Sequence, residues 1–423
     1  MKTKKFIAIL STVLLLAGSV APVFADSAIT ITGNGSDSQN TTNVSVTQTT
    51  QVSQSNSANI NNNVNSTSNS GSNSANHNTG GNVTVDTGNA KTDVSVTNTA
   101  NSNVANVSNC NCSGDLNVNV TGNGDGSKNT ANATMQNTTT VAQTNVADIN
   151  NNVKNANSNS GKNDAGHNTG GNVEVTTGDA STTVNLSTNA NQNIAEVGSS
   201  SVGNSNGGST SVIISGNGSD SHNKVNLGLT DWVVLGQSNS ADVDNSVNAK
   251  SNTGDNSANS NTGGSWLGGD VMIETGDAST KVSADTAVNF NQAAIGCDCL
   301  MGVTAKIAGN GASDGRWGTN DTLNATLVNG QEVGQANGGH GIDNNLYGDS
   351  QSGKNDSKSN TGEATDPSIM TGDSMSTTEV NNQGNANIFG NGDVSPFPWN
   401  WNGSNTNVSL TFNLQQLLSA LGM

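Results

Sequence analysis

The chain has 423 residues, and its composition is polar without being highly charged. Charged residues make up 11%, hydrophobic residues 31% and aromatic residues 3%, with 50 Gly and only 4 Pro. A conventional globular domain carries more apolar and more charged residues, which leaves a disordered polar chain or a repetitive β-structure with a small-residue and amide interior. The formal net charge of −18 argues against nucleic acid and anionic lipid as partners and favours solubility, with divalent cations as a further option.

The N-terminus predicts a secretory signal peptide over residues 1–25. Lys2, Lys4 and Lys5 precede an apolar run that is too short to span a bilayer comfortably, and small residues lead to a cleavage site after Ala25. Cleavage removes three positive charges and no negative ones, which takes the formal charge from −18 to −21. No second apolar run of spanning length follows, so we expect an extracellular or cell-surface protein without a transmembrane anchor.

Three short motifs recur in the same order along the mature chain. Gly-Asn-Gly begins at Gly33, Gly122, Gly216 and Gly309, at spacings of 89, 94 and 93 residues. Asn-Thr-Gly-Gly and then Thr-Gly-Asn/Asp follow it, and the last copies are degenerate. The order indicates four repeats of roughly 90 to 100 residues. The predicted boundaries are 26–115, 116–208, 209–302 and 303–393, followed by a C-terminal segment at 394–423.

Apolar and amide side chains alternate with other residues over long stretches of each repeat. Every second residue from Val44 to Val64 is Val, Gln, Thr, Asn, Ala or Ile, and the second and third repeats keep this alternation. Such alternation indicates β-strands with one face turned inward, and Gly, Asn, Thr and Val are poor helix formers. Shorter copies of the motif, such as Asn101, Asn103 and Ala105, predict several short strand–turn units in each repeat.

One inward motif, Gln-x-Asn-x-Ala-x-Ile/Val, occurs in each of the first three repeats. A buried amide is costly unless it is paired, but strands stacked about 4.8 Å apart let each amide donate to one neighbour and accept from the other. Ala suits a tight interior, and Ile or Val fills it. The predicted ladder residues are Gln54, Asn56, Ala58, Ile60, Gln143, Asn145, Ala147, Ile149, Gln237, Asn239, Ala241 and Val243.

The predicted fold class is therefore all-β: an elongated β-solenoid or β-helix-like repeat array with Asn/Gln ladders and Gly-rich turns. The inward motif resembles the curlin repeats of curli, which are secreted bacterial fibre subunits with a Gln/Asn-laddered β-solenoid. The likeness covers about ten residues per repeat, and curlin repeats are much shorter than the period of this chain. The resemblance implies fibre formation at the cell surface.

Acidic residues after the Gly-Asn-Gly steps are candidates for calcium ligands. The steps resemble the Gly-Asp nonapeptides that bind calcium in parallel β-rolls. Their carboxylates lie three to five residues after the first Gly, whereas a coordination site would keep its register. A role in the turn is therefore favoured over a calcium site. No cofactor is expected, and calcium is the alternative. The candidates are Asp37, Asp125, Asp220 and Asp314.

The cysteines form two Cys-x-Cys pairs, Cys110 with Cys112 and Cys297 with Cys299. Thiols outside the cell tend to oxidise, although positions i and i+2 of a strand lie near the limit of disulfide reach. A disulfide within or between subunits is favoured over unpaired thiols, and a soft-metal site of four thiolates is the third option.

The histidines give a second metal-site hypothesis. His77 and His167 share one repeat position, while His222 and His340 do not. Exposed turn residues are the favoured interpretation.

The C-terminal segment breaks the repeat pattern. Prolines interrupt residues 395–403, residues 407–412 predict a strand, and four leucines from Leu414 to Leu421 have the spacing of one helix face. A cap over the open end of the stack is the favoured interpretation. Docking to another subunit or to a surface anchor is the alternative.

No catalytic motif is present in the sequence: it lacks a Gly-x-Ser-x-Gly elbow, an HExxH helix and a Walker loop. We therefore expect a secreted, non-catalytic structural protein that self-associates as a cell-surface fibre, biofilm matrix or adhesive component. A monomeric adhesin that binds surface glycans is the first alternative, with ice binding disfavoured because the Thr positions are irregular. A polysaccharide-active β-helix enzyme is the weakest.

Overall fold

The structure is a computed structural model that describes residues 27–107, 116–198, 209–263, 270–296, 302–311, 320–361 and 367–390. The predicted signal peptide, the four cysteines, Asp314 and the segment 394–423 lie outside the described residues. The described chain is all-β and contains no helix. Its strands are β1 (Ser27–Thr32), β2 (Gln39–Asn69), β3 (Val83–Thr87), β4 (Ala90–Val107), β5 (Leu116–Thr121), β6 (Lys128–Asn159), β7 (Val173–Thr177), β8 (Ala180–Val197), β9 (Ser209–Ser215), β10 (His222–Asn252), β11 (Val271–Thr275), β12 (Ala278–Ile295), β13 (Gly302–Ala308), β14 (Asn320–Gln351), β15 (Ser368–Met370) and β16 (Ser374–Gly390).

Each repeat contributes one strand to each of four parallel sheets. Sheet 1 contains β1, β5, β9 and β13; sheet 2 contains β2, β6, β10 and β14; sheet 3 contains β3, β7, β11 and β15; sheet 4 contains β4, β8, β12 and β16. We call the four strands of one repeat a rung, so that rung 1 is β1–β4 and rung 4 is β13–β16. The rungs follow one another in chain order in every sheet, so equivalent residues of the repeats lie directly above one another.

The rung is much wider than the sequence pattern suggested. Strands of sheet 2 contain 31 or 32 residues, which corresponds to about 100 Å at roughly 3.3 Å per residue. Four stacked strands rise only about 14 Å, at about 4.8 Å per step. Each repeat contains several strands joined by turns, as expected, but only those of sheets 1 and 3 are short. One repeat makes one rung, and the described stack is elongated across its axis rather than along it.

Sheets 1 and 4 pack against the inward face of sheet 2. Leu116 and Ile214 of sheet 1 share a buried cluster with Leu229 of sheet 2. Further along sheet 2, Val141 shares a second buried cluster with Val197 of sheet 4. Inward and outward side chains alternate along β6, as in a strand with one buried face. The interior is thus a narrow layer between two faces, and small side chains fit it.

Candidate functional site: amide columns and the ends of the stack

The inward glutamines form one continuous column through the four rungs. Gln143 donates from Nε2 to Gln54 Oε1 at 2.8 Å, and Gln237 donates to Gln143 at 2.8 Å. Gln335 of rung 4 donates to Gln237 at 2.7 Å. Each amide therefore has a partner in the neighbouring rung. The next columns along the strands stack Ala58, Ala147 and Ala241, and then Ile60, Ile149 and Val243.

The inward asparagines form a double column that joins sheet 2 to sheet 4. Asn145 donates from Nδ2 to Asn193 Oδ1 across the interior at 2.9 Å and to Asn239 Oδ1 in the next rung at 3.1 Å. Asn103 donates to Asn145 Oδ1 at 2.9 Å. The repeated motif within each repeat therefore places two asparagines face to face, in addition to stacking each on its equivalents. The sequence pattern identified the inward residues without showing which of them meet.

Further asparagine columns line the turns and the bends. Asn101, in the middle of β4, has a left-handed backbone with φ of 58° and donates to Asn191 Oδ1 at 2.9 Å. Asn is suited to that backbone conformation because its side chain bonds locally. These further columns are Asn34/Asn123/Asn217/Asn310, Asn62/Asn151/Asn245/Asn344, Asn73/Asn163/Asn256/Asn355, Asn78/Asn168/Asn261/Asn360 and Asn101/Asn191/Asn289/Asn385.

The calcium candidates occupy two different positions of one turn. Asp37 and Asp220 have φ of 61° and 52°, and Gly126 has φ of 67° at the same position of rung 2. Asp125 lies one position earlier, since its carbonyl accepts the backbone N–H of Asp37 at 2.7 Å. The turn requires a left-handed backbone at this position, and Asp and Gly both tolerate that conformation. Within the described residues, no three His, Cys, Asp or Glu side chains gather where they could hold a metal ion.

Two of the four histidines stack on each other at a turn. The rings of His77 and His167 lie 5.0 Å apart at an interplanar angle of 19°. Both residues have left-handed backbone, with φ of 62° and 59°, and Ser260 has φ of 55° at the equivalent position of rung 3. His340 lies elsewhere, on the outer side of rung 4, with Nδ1 3.3 Å from the carboxylate of Asp242.

Asp231 is a buried acidic residue that takes the place of an amide in an inward column. Asp231 is 2% exposed and accepts a hydrogen bond from Asn137 Nδ2 at 2.9 Å. Burial raises the pKa of its carboxyl, against the lowering effect of the Asn137 hydrogen bond and of the backbone N–H of Trp232. An ionisable group thus lies in a column that otherwise consists of amides.

Glycine occupies a corner at which the backbones of adjacent rungs come close together. A Cβ on Gly161 would collide with the carbonyl oxygen of Gly254, and one on Gly254 would collide with that of Gly353. On Gly353, in rung 4, a Cβ would meet no atom of the described chain within 4 Å. None of the three has a left-handed backbone, so close approach of the next rung is what requires glycine at the first two.

The two ends of the stack are sheet edges. Gln143 and Gln237 are 1% and 2% exposed, whereas Gln54 and Gln335 at the ends are only half-buried. Within the described residues, no strand pairs with the outer edges of β2 and β4 or of β14 and β16. Edges of this length present rows of backbone N–H and C=O groups to solvent and invite pairing with another chain.

No helix of the described residues has the length and apolarity needed to cross a bilayer. Comparisons of the chain with protein-family models, with curated proteins and with solved structures found no match.

Proposed function

We propose that the chain is a non-catalytic, self-associating subunit of a fibre or matrix outside the cell, folded as a β-solenoid. The observation that carries the proposal is the pair of long edges at the two ends of the stack. β2 offers 31 residues of strand at one end and β14 offers 32 at the other. Natural proteins usually protect such edges by making them short, charged or covered. Here the edge strands are long and carry few charges.

The use of the interior also supports a structural role. Its amide groups already donate and accept hydrogen bonds between rungs, as in the Gln and Asn columns. Such columns leave few polar groups to bind a small molecule inside the stack. The predicted signal peptide supports export, and the negative charge supports solubility of the subunit before assembly.

Electron microscopy of residues 26–423 over a concentration series tests this function. Filaments that lengthen with concentration, together with a β-sheet circular dichroism spectrum, are expected. Particles that stay single at every concentration contradict self-association, and a coil-like spectrum contradicts the solenoid.

Glycan binding is a second candidate, favoured by one observation. Trp232 is 39% exposed on the outer face of sheet 2, and its indole ring covers Gly330 of the next rung. An exposed indole on a flat strand surface offers an apolar platform with a polar N–H. Loss of binding to a glycan array on Trp232→Ala, with an unchanged spectrum, supports this role. Equal binding by the variant removes it.

A further inference from the structure

We infer that copies of this chain join head to tail, with rung 1 of one copy continuing the stack beyond rung 4 of another in the register that the rungs already use. The inference rests on the proposed self-association and adds its partner surface, its polarity and its register. It is carried by the strand edges, by the amide columns and by the corner glycines.

The edge of rung 4 carries the side chains that the edge of rung 1 needs. In sheet 2, Gln335 and Asn337 occupy the columns of Gln54 and Asn56. In sheet 4, Asn387 occupies the column of Asn103. A fifth rung supplied by another copy would therefore extend the Gln column and both halves of the double Asn column.

The match continues beyond an insertion in β14. This strand carries one extra residue opposite Ala241, where the register shifts between Ser240 and Asp242. After the insertion, Ile342 and Asn344 return to the columns of Ile60 and Asn62. The joint therefore has two matched segments in sheet 2, which differ by one residue in offset.

A head-to-head joint does not satisfy the amides. Two copies of β2 paired edge to edge would run antiparallel, and full overlap of Gln39–Asn69 would place Asn56 opposite Val52 and Asn62 opposite Val46. Asn56 and Asn62 would then face aliphatic side chains and lose their partners, and Gln54 would face only its own copy. The head-to-tail joint keeps amide next to amide, so the chemistry of the columns selects one polarity.

The corner glycines at the two ends point to the same joint. Gly161 and Gly254 are required by the carbonyl of the next rung, yet Gly353 is also glycine although no described atom lies within 4 Å of its Cβ position. At another corner the close approach comes from the preceding rung. A Cβ on Gly124 would collide with the backbone of rung 1, whereas a Cβ on Gly35 of rung 1 would meet no described atom within 4 Å. Both end glycines suit the approach of another copy's rung.

Cysteine pairs placed across the joint test its register. Ser55 and Ala336 occupy one exposed outward column, so in the joint their Cα atoms would be about 4.8 Å apart, within disulfide reach. In the full mature chain with the four native cysteines changed to Ser, Ser55→Cys with Ala336→Cys should give a ladder of cross-linked multimers on a non-reducing gel. The matched control, Ser45→Cys with Ala336→Cys, lies ten residues out of register and should give none. Equal ladders from both pairs would overturn the register.

Glycine variants test the surfaces themselves. Gly353→Ala and Gly35→Ala should leave the thermal unfolding of the monomer unchanged and raise the critical concentration for filaments by about tenfold or more, since a tenfold change needs only about 1.4 kcal/mol at each joint. Wild-type filaments with unaffected glycine variants and no specific cross-link would overturn this joint and leave the proposed function standing. A wild-type chain that never associates would overturn both.

Discussion

Rungs 2 and 3 carry much the same inward side chains as rungs 1 and 4, but those side chains are far more deeply buried in rungs 2 and 3. Asn145 and Asn193 are fully buried and hydrogen-bonded on several sides, whereas Asn387, in the same kind of column, is exposed at the edge of rung 4. The same residue type is thus an interior group in one rung and a surface group in another. In this fold a side chain becomes part of the core only when a neighbouring rung lies on each side of it.

The largest expected effect is the replacement of an internal amide by an acid. Asn145 Nδ2 donates to three oxygen atoms, on Gln192, Asn193 and Asn239. The carboxylate of Asn145→Asp would face these acceptors without a donor, so we expect a loss of about 3–5 kcal/mol in the free energy of unfolding. Urea unfolding of dilute monomer measures it. Asn387→Asp is the end-rung control and should cost less than about 1 kcal/mol; similar losses in both variants would remove the distinction between the rungs.

Equivalent corner glycines of an inner rung and an end rung should respond differently to an added methyl group. Gly161→Ala forces a methyl group into the carbonyl of Gly254, which should lower the free energy of unfolding by about 1–3 kcal/mol. Gly353→Ala meets no described atom within 4 Å and should change it by less than about 0.5 kcal/mol. Thermal unfolding of dilute protein measures both. A destabilised Gly353→Ala monomer would show that the rung 4 corner is closed by something within the chain.

Two carboxyl groups should give opposite dependences on pH. The pKa of Asp231 is raised by burial, so the folded state binds the proton more tightly than the unfolded chain does. Its contribution to the free energy of unfolding is present below the ordinary pKa of 3.8 and is lost as pH rises through the raised pKa. Asp231→Asn should therefore be more stable than wild type at neutral pH, with the difference shrinking in acid. Urea midpoints over a pH series measure this difference, and one that does not vary with pH would contradict the assignment.

Asp356 is a half-buried carboxyl group of rung 4 whose pKa shifts in the opposite direction. Its pKa is lowered by hydrogen bonds from Lys358 and Asn259. Its contribution is present above the ordinary pKa of 3.8 and is lost as pH falls through the lowered value. Asp356→Asn should therefore lose stability relative to wild type only above that range, and a loss that persists in acid would contradict the pairing.

The smallest expected effect is a gain. Gly236 lies within β10, has no left-handed backbone and would place a Cβ more than 4 Å from any described atom. The equivalent residue of rung 2 is Ala142. Gly236→Ala should raise the free energy of unfolding by about 0.4–1 kcal/mol, because it removes conformational freedom from the unfolded chain. Urea unfolding checks the sign, and a loss would mean that the outer face of β10 is covered.

The stacking was predictable because it depends on two local signals. The repeat period identifies equivalent residues, and the alternation from Val44 to Val64 identifies the inward face. Together they place Gln54 next to Gln143, and the 2.8 Å hydrogen bond between the two side chains confirms this placement. Strand length leaves no such signal, which is why the motif copy at Asn101, Asn103 and Ala105 predicts a short unit although it lies in a strand of 18 residues.

The meeting of Asn103 with Asn145 was not predictable from the sequence. Period-2 alternation shows that a side chain points inward, but the residue that it faces depends on how the rung folds back on itself. The carboxylates after Gly-Asn-Gly were ambiguous for another reason. Left-handed turn positions and calcium loops both favour Asp and Gly, and the φ of 61° at Asp37 is a backbone property that composition does not reveal.

One rung per repeat has a consequence for how the chain acquires its structure. Hydrogen bonds between neighbouring rungs join residues such as Asn62 and Asn151, 89 positions apart, or Asn245 and Asn344, 99 positions apart. Each such contact closes a long loop, and folding rates fall as contacts become less local. Spontaneous folding should therefore be slow, and the chain should stay unfolded for a long interval after its synthesis. An already formed stack end would serve as a template, because a rung that pairs with it closes no loop in its own chain.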